Sequence, residues 1–537
     1  MTIATRQIDG TVDVVVVGAG FAGLYMLHKL RGLGLSARVI EAGDGVGGTW
    51  HWNRYPGARV DIHSMEYSFS FDPELEREWR WSERYAPQAE LLEYANHVAD
   101  RYDLRRDILL DTRVTAATWD EQAQRWLVET DGEETFSARW VVMATGCLSV
   151  PKTIDIPGIP DFEGTIHRTF EWPRGGVDFT GQRVGVIGTG SSAVQTIPLV
   201  AEQAAQLTVF QRTPSFCAPA WNAPIAPEEQ ADWDTNRDEY RAKARAEPAA
   251  ALFNTAERLA LETPAEERTA ELERRWTIGG LQLPYGFADT ATVGEANAVA
   301  ADFVADKIRG IVADAEVAER LTPRTYPIAT KRMCVDIGYY ATFNRPNVEL
   351  VDLRTTPIER VTASGIRTSA GYYPLDTIIL ATGFDAMTGA LERIDIRGRG
   401  GQALKDKWAE GPRTYLGLTV AGFPNLFTVT GPGSPSVLTN MIMSIEQHVE
   451  WIADCIAWLG RHGHSTIEAS AEAEAEWVAH VAEVAAPTLF PQANSWYMGA
   501  NVPGKPRVFL PYVGGFPAYV EACNDVVANG YRGFVVV

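Results

Sequence analysis

The 537-residue chain lacks the features that would place it in a membrane or on nucleic acid. No apolar run approaches the roughly 18 residues of a transmembrane helix, and residues 1–10 contain no secretory apolar segment. Lysine and arginine total 48 against 69 aspartates and glutamates, which gives a net charge of −21. That charge disfavours binding to nucleic acid or to anionic membrane surfaces.

Cysteine is also scarce, with five residues scattered at positions 147, 217, 334, 455 and 523. Because no C-x-x-C pair occurs, the sequence supports no disulfide framework, no zinc site and no redox-active pair of a pyridine-nucleotide–disulfide reductase. The nine histidines include no pair at metal-ligand spacing, so no metal is expected. We therefore expect the protein in a reducing cytoplasm.

What the chain does contain is a dinucleotide-binding fingerprint, G-x-G-x-x-G/A, present twice. Each copy follows an apolar run of strand length and precedes an amphipathic stretch, which is the strand–turn–helix context that the motif requires. The glycines permit a tight turn and close approach to a pyrophosphate at a helix N-terminus. The first copy comprises Gly18, Gly20 and Gly23, and the second comprises Gly188, Thr189, Gly190 and Ser191.

The residue that ends the next strand of each unit indicates which dinucleotide is bound. Glu41 follows the first motif, and a carboxylate there accepts hydrogen bonds from the ribose diol of an adenosine without a 2′-phosphate, as in FAD. Arg212 follows the second motif, with no acid beside it, and a guanidinium can pair with a 2′-phosphate. The sequence therefore predicts FAD in the first unit and NADPH, in preference to NADH, in the second.

The predicted fold is α/β, with two Rossmann-like dinucleotide-binding domains and a helical insertion. Residues 1–145 and 384–537 are predicted to form the FAD domain, and residues 146–224 and 325–383 the NADP domain. Residues 225–324 are rich in Ala, Glu and Arg at helical spacing, which predicts a helical insertion with mostly solvated charge.

Two further motifs resemble those of type I Baeyer–Villiger monooxygenases, and the resemblance extends over essentially the whole chain. The family fingerprint F-x-G-x-x-x-H-x-x-x-W-P is matched by Phe162, Gly164, Trp172 and Pro173. The signature G-G-x-W-x-x-x-x-Y-P-G-x-x-x-D is matched by Gly47, Gly48, Trp50, Tyr55, Pro56, Gly57 and Asp61. Other stretches are most similar to the phenylacetone and steroid monooxygenases within that family.

One position departs from the family pattern. Arg168 stands where the fingerprint has its histidine, and the nearby His167 is one residue earlier. Either side chain is a candidate for the role of that histidine, which the resemblance links to coupling between the domains and not to bond-making.

The resemblance implies an NADPH- and O2-dependent flavoprotein that converts a ketone into an ester or lactone through a C4a-peroxyflavin. Arg332 matches the family's active-site arginine, and Asp61 the carboxylate that holds it. A fixed cation suits this chemistry because negative charge develops on oxygen. The remaining positions implied for cofactor binding are Gly48, Trp50, Asp61, Thr213, Lys331 and Trp496, and those for the substrate pocket are Leu438 and Met441.

Aromatic or bulky ketones are the substrate class that the resemblance suggests, with O2 as the co-substrate. Two alternatives stay open: a flavin monooxygenase that oxygenates nitrogen or sulfur nucleophiles, and a non-catalytic redox module that binds NADPH and FAD. Arg332 and Asp61 favour the ketone, since the heteroatom reaction does not need this pair.

Overall fold

The computed structural model describes residues 9–132 and 134–537. The expectation that residues 1–10 hold no secretory segment therefore falls almost entirely outside the described residues. Within the described ranges there are twenty strands and fifteen α-helices. No helix in these ranges is long and apolar enough to cross a bilayer.

The strands, in chain order, are β1 (Gly10–Val17), β2 (Ala37–Ile40), β3 (Ile108–Leu109), β4 (Val114–Asp120), β5 (Arg125–Thr130), β6 (Thr135–Met143), β7 (Thr165–Arg168), β8 (Arg183–Ile187), β9 (Gln206–Gln211), β10 (Cys217–Pro219), β11 (Cys334–Asp336), β12 (Val348–Asp352), β13 (Ile358–Thr362), β14 (Gly365–Thr368), β15 (Tyr372–Pro374), β16 (Thr377–Leu380), β17 (Asp395–Arg397), β18 (Leu426–Thr428), β19 (Ile467–Ala469) and β20 (Phe534–Val536).

The helices are α1 (Phe21–Gly32), α2 (Thr49–Trp52), α3 (Pro73–Glu78), α4 (Gln88–Arg101), α5 (Ser191–Gln203), α6 (Pro227–Ala246), α7 (Ala265–Ile278), α8 (Gly294–Ile311), α9 (Ala315–Leu321), α10 (Tyr339–Thr342), α11 (Gly389–Arg393), α12 (Leu404–Lys407), α13 (Met441–His462), α14 (Ala471–Ala485) and α15 (Phe516–Ala528).

The first dinucleotide domain is built on a mixed eight-stranded sheet. Its order is β17-β4-β5-β6-β1-β2-β3, and β18 pairs with β6 outside this path. The run Val14–Val17 at the end of β1 is buried, as expected of a central parallel strand that is covered on both faces. Because β17 and β18 pair with β4 and β6, the chain beyond residue 384 returns to this sheet.

The second dinucleotide domain is built on a five-stranded sheet of order β12-β9-β8-β16-β7, in which every pairing is parallel. Its edge strand β7 comes from the fingerprint segment. The α/β fold with two Rossmann-like domains and a helical insertion is thus confirmed. A small antiparallel sheet, β13-β14-β15, lies between β12 and β16 in the chain.

Helices α6 to α9 form the insertion, but they do not pack as one body. Trp233 of α6 lies in the core of the first domain, whereas Leu272 and Trp276 of α7 and Val304 of α8 lie in the core of the second. The guanidinium of Arg241 on α6 donates to three carbonyl groups of residues 65–68 and to the Glu76 carboxylate. The insertion therefore bridges the two domains.

Three arginines of the insertion, Arg237, Arg241 and Arg275, are buried and are exceptions to the expectation that its charge is mostly solvated. Arg275 is only 1% exposed. It donates to the Glu271 carboxylate at 2.7 Å and to the carbonyl oxygens of Phe253, Asn254 and Gln282 at 2.7 to 2.9 Å. The buried charge persists because all three nitrogens of the guanidinium donate in this way.

We predict that Arg275→Ala destabilises the insertion by about 3–5 kcal/mol, because it leaves Glu271 and three carbonyls without this donor. Hydrogen–deuterium exchange of residues 253–282 and the thermal unfolding midpoint measure the effect. Arg274→Ala is the matched control, since Arg274 contacts the same Glu271 but its side chain is 50% exposed. We expect it to cost at most about 1 kcal/mol, and equal losses in the two variants would contradict the prediction.

Candidate active site

The first glycine motif forms a tight turn between β1 and α1. Gly18 has a φ of +103°, and a Cβ there would lie 2.6 Å from the carbonyl oxygen of Ala144. At Gly23 a Cβ would lie 1.9 Å from the carbonyl oxygen of Gly18. Gly20 precedes α1 and faces Gly48, where a Cβ would lie 2.9 Å from the Cα of Gly20. Side chains are therefore excluded from this turn, which leaves the backbone at the N-terminus of α1 open to close approach.

Glu41 lies directly after β2, beside this turn, and is 5% exposed. Its carboxylate accepts hydrogen bonds from the backbone N–H groups of Ala19, at 2.7 Å, and Gly43, at 2.8 Å. Burial raises the pKa of Glu41, and these two hydrogen bonds oppose the rise. The carboxylate is thus held at the carboxyl edge of the sheet, where the ribose of a dinucleotide binds.

The second motif repeats this geometry between β8 and α5. A Cβ at Gly188, with a φ of +123°, would lie 2.3 Å from the carbonyl oxygen of Ala381, whereas a Cβ at Gly190 would meet nothing within 4 Å. Gly190 thus faces open space at the N-terminus of α5, which begins at Ser191. The hydroxyl of Thr189 donates to the Thr213 carbonyl at 2.7 Å and so joins this loop to the segment after β9. Both loops fit a dinucleotide pyrophosphate.

Arg212 and Lys331 lie near one another beside this second loop. Arg212 follows β9 and is exposed, and the Lys331 ammonium lies 4.5 Å from the centre of the Tyr326 ring. Burial and the Arg212 charge together lower the pKa of Lys331. Two cations that repel each other indicate a position for an anion between them.

Arg332 and Asp61, 271 residues apart, form a bidentate ion pair. Nε and Nη2 of Arg332 donate to Oδ2 and Oδ1 of Asp61 at 2.6 and 2.8 Å, and Nη1 donates to the Val437 carbonyl at 2.9 Å. The two side chains are 25% and 24% exposed. Burial by itself would lower the pKa of Arg332, but the charge and hydrogen bonds of Asp61 outweigh it and raise that pKa. Arg332 is therefore a fixed, permanently charged guanidinium.

Two tyrosines beside this guanidinium were not predicted from the sequence. Tyr497 and Tyr285 are close enough to Arg332 for its charge to affect them; burial raises the pKa of each, and the guanidinium opposes that rise. Tyr497 follows the predicted Trp496, so the adjacent motif was its only signal. Tyr285 comes from the helical insertion, where nothing in the sequence distinguishes it.

The predicted pocket residues Leu438 and Met441 and the predicted cofactor-binding residue Trp496 lie partly buried against one apolar cluster. The rings of Trp496 and Tyr497 are 4.3 Å apart between centroids. Burial raises the pKa of Cys147, which lies in the same cluster, to about 11, so this side chain stays a neutral thiol. The buried members of this cluster are Cys147, Ala386, Met387, Val437, Phe490, Tyr497 and Leu510.

The G-G-x-W-x-x-x-x-Y-P-G-x-x-x-D motif lies at the junction of the two domains. The Tyr55 hydroxyl donates to Oε1 of Gln195 on α5 at 2.8 Å, and Nε2 of Gln195 donates to the Arg59 carbonyl at 3.1 Å. Gly57 has a φ of +81°, and a Cβ there would lie 2.3 Å from the Gln195 carbonyl oxygen. Trp50 packs edge-to-face on Tyr67, with centroids 6.0 Å apart. The contacts with Gln195 hold the loop that carries Asp61 against the second domain.

The fingerprint segment packs along the edge of the second sheet. Phe162 and Trp172 are buried, Pro173 is exposed, and a Cβ at Gly164 would lie 2.4 Å from the Asp376 carbonyl oxygen. Each of the two large rings thus anchors one end of the segment.

Within β7 the two candidates for the histidine role point in different directions. The His167 ring packs on Trp172 at 5.1 Å and on Phe179 at 6.3 Å, and burial lowers its pKa. Arg168 instead lines a small cleft at the carboxyl end of β16 and lies 3.4 Å from Glu171. Alternation along a strand explains the difference. Arg168 is therefore the one of the two that faces the cleft.

In residues 9–132 and 134–537, no group of three or more histidine, cysteine or acidic side chains is arranged to hold a metal ion. The five cysteines are buried and unpaired.

Comparison with known proteins gives matches over nearly the whole chain. A family model described as pyridine nucleotide-disulphide oxidoreductase matches residues 15–251. The chain is 43% identical to a Baeyer-Villiger monooxygenase of Pseudooceanicola batsensis, over 99% of this chain and 97% of that protein. It is 42% identical to a phenazine N-monooxygenase of Lysobacter antibioticus, over 98% and 97% of the two chains. A solved structure, oxidized steroid monooxygenase bound to NADP, matches with a TM-score of 0.95 and 52% identity, over 98% and 99% of the two chains.

Two dinucleotide-binding domains that face a shared arginine–aspartate pair define a pyridine-nucleotide-dependent flavoprotein. The relatives that match over nearly their full length identify the family within that class. The chain belongs to the type I Baeyer–Villiger monooxygenase family.

We predict that Arg168→Ala lowers NADPH-dependent turnover, because Arg168 is the side chain that faces the cleft, and that Arg168→His is tolerated. His167→Ala should instead lower stability, by about 0.5–3 kcal/mol, because it removes packing on Trp172. Steady-state kinetics and thermal unfolding of the three variants separate the two effects. A turnover defect in His167→Ala with none in Arg168→Ala would reverse the assignment.

Proposed function

We propose that this protein inserts one oxygen atom from O2 next to the carbonyl of a ketone, giving an ester or lactone at the expense of NADPH. The observation that carries the proposal is the ion pair between Arg332 and Asp61, because it places a fixed cation where the two dinucleotide domains meet. FAD belongs to the first domain and NADPH to the second.

When bound, the two cofactors supply the electrons and the activated oxygen. The protein supplies electrostatic stabilisation of the negative charge that develops on oxygen when a nucleophile adds to a carbonyl. Arg332 can provide it, since its guanidinium is held in one orientation and keeps its proton. A lysine here could donate a proton to the reacting oxygen, which would divert the reaction.

Asp61 and Val437 are positioning residues in this proposal. They occupy three donors of the Arg332 guanidinium and fix its plane, and the Tyr497 hydroxyl is a further hydrogen-bonding neighbour of the guanidinium. Val437 adjoins Leu438 in the predicted pocket loop. The hydrogen bond from Arg332 to the Val437 carbonyl therefore holds the guanidinium next to the loop that is predicted to line the substrate pocket.

The apolar cluster beside Arg332 supports aromatic or bulky ketones as the substrate class. Leu438, Met441 and Trp496 contribute large apolar side chains that are only partly buried, so part of their surface can contact a ligand. For the cellular location we propose the cytoplasm, which the five unpaired cysteines support.

A second candidate function, oxygenation of a nitrogen atom, is favoured by one observation, the 42% identity to a phenazine N-monooxygenase. Incubation of the FAD-loaded enzyme with NADPH and matched panels of aryl ketones and nitrogen heterocycles distinguishes the two. Products that gain one oxygen at the ketones support the first function, and N-oxides alone would replace it with the second.

We predict that Arg332→Ala stays folded and yellow, because FAD contacts the first glycine turn and Glu41 instead. Ester formation should fall by roughly a hundred- to a thousandfold, since loss of one preorganised stabiliser costs about 2.7–4 kcal/mol. The ester formed per NADPH consumed measures the effect, and hydrogen peroxide should account for the difference. Asp61→Ala should give a milder form of the defect.

Arg360→Ala is the matched control, since Arg360 forms an exposed ion pair with Asp161 at 2.9 Å on the surface of the second domain. It should leave the yield of ester per NADPH unchanged. Near-normal yield in Arg332→Ala would refute the proposed role.

We also predict that NADPH is preferred over NADH and that Arg212→Ala raises the KM for NADPH by roughly ten- to a hundredfold, because one charge-assisted contact to the 2′-phosphate is lost. The KM for NADH in the same variant is the internal control and should change little. Equal KM values for the two cofactors in the unmodified enzyme would contradict the assignment.

A further inference from the structure

Beside the second glycine loop, two lysines lie close enough to one arginine for its charge to act on them, and none of the three has a carboxylate partner among the described residues. They are Arg212, Lys331 and Lys152, which we call the cation cluster. No ion pair of any of the three is found among residues 9–132 and 134–537, although other partly buried lysines, such as Lys407 and Lys505, are paired. In a chain of net charge −21, partners are plentiful. The absence of acidic partners for the cation cluster in these ranges indicates a binding site for an anion.

Lys152 reaches this place from the segment that joins the two domains. Its backbone N–H donates to the Gly383 carbonyl at 3.2 Å, and a Cβ at Gly383 would lie 3.8 Å from Cε of Lys152. The side-chain stem therefore crosses the chain directly after β16. β16 pairs with β8, which leads into the glycine loop, so Lys152 lies on the carboxyl edge of the sheet, where ligands of such folds bind.

The electrostatic environment of Lys152 matches that of Lys331. Burial lowers the pKa of Lys152, and the Arg212 charge lowers it further, as it does for Lys331. Arg168, which lines the same cleft, is itself paired with Glu171 at 3.4 Å and is a cation, so it does not neutralise Lys152. Half-buried cations that repel each other cost free energy, which a dianion bound among them would recover.

We propose that Lys152 binds the 2′-phosphate of NADPH as a third cation, together with Arg212 and Lys331. The inference rests on the proposed function, which assigns NADPH to the second domain. It adds a specificity-determining residue that neither glycine motif contains. A purely structural role, in which the stem packs on Gly383 and the ammonium reaches water, is the competing explanation.

Lys152→Met tests the proposal, because methionine keeps an unbranched stem and removes the charge. Calorimetric titration of the FAD-loaded protein with NADP+, with NAD+ and with 2′,5′-ADP measures binding without turnover. We expect the Kd for NADP+ and for 2′,5′-ADP to rise by roughly ten- to a hundredfold, and the Kd for NAD+ to change by less than about twofold. Lys405→Met, at an exposed lysine of α12, is the control and should change none of them.

A second measurement follows the side chain itself. Reductive methylation with 13C-formaldehyde labels the lysines, and the resonance absent from Lys152→Met identifies Lys152. Its pKa should rise when NADP+ binds and rise less with NAD+, since a dianion beside the ammonium favours the charged form.

The outcomes separate this inference from the function on which it rests. If the unmodified protein binds NADP+ more tightly than NAD+ but Lys152→Met has the same affinities, the inference is overturned and the NADPH assignment stands. An equal rise in the Kd for NADP+ and for NAD+ would indicate that Lys152 contacts the pyrophosphate, and it would overturn the 2′-phosphate assignment. Equal affinities in the unmodified protein would overturn the NADPH assignment itself.

Discussion

The ion pair between Arg332 and Asp61 is the contact on which the geometry of the candidate active site depends. It joins a loop of the first domain to the segment before β11 of the second, and the Val437 carbonyl adds a third part of the chain. A half-buried guanidinium without this carboxylate would be costly to keep in place. The pair is therefore a positional constraint between the domains as well as a source of positive charge.

Close backbone contacts support that constraint. Gly57 lies against the Gln195 carbonyl, and the side chain of Gln195 accepts a hydrogen bond from Tyr55 and donates one to Arg59. Helix α5, which begins at the second glycine loop, is thus held against the loop that carries Asp61. Helix α5 therefore contacts both regions: its N-terminus lies at the predicted pyrophosphate site of the second domain, and its Gln195 holds the loop whose Asp61 carboxylate orients Arg332.

Charge is distributed unevenly over this acidic protein. Buried arginines such as Arg241 and Arg275 donate to several carbonyl and carboxylate acceptors, and they stabilise the insertion between the domains. Within the part of the chain that the structure describes, no carboxylate pairs with the cation cluster near the second glycine loop. In the insertion, paired positive charge stabilises the fold, whereas the charge of the cation cluster is available for a phosphate.

The sequence by itself determined the two dinucleotide units, since the glycine turns, their apolar strands, Glu41 and Arg212 lie within short stretches whose local geometry fixes their roles. It also indicated Arg332 and Asp61, but only through resemblance. Tertiary structure decided that Tyr285 reaches Arg332, that Lys152 approaches Arg212, that α6 packs on the first domain, and that Arg168 and not His167 faces the cleft. The first three relations join residues far apart in the chain, and no local periodicity encodes them, because packing and burial arise only once the domains have assembled. For His167 and Arg168, strand alternation sends the two side chains to opposite faces, but only the packing of β7 decides which face borders the cleft.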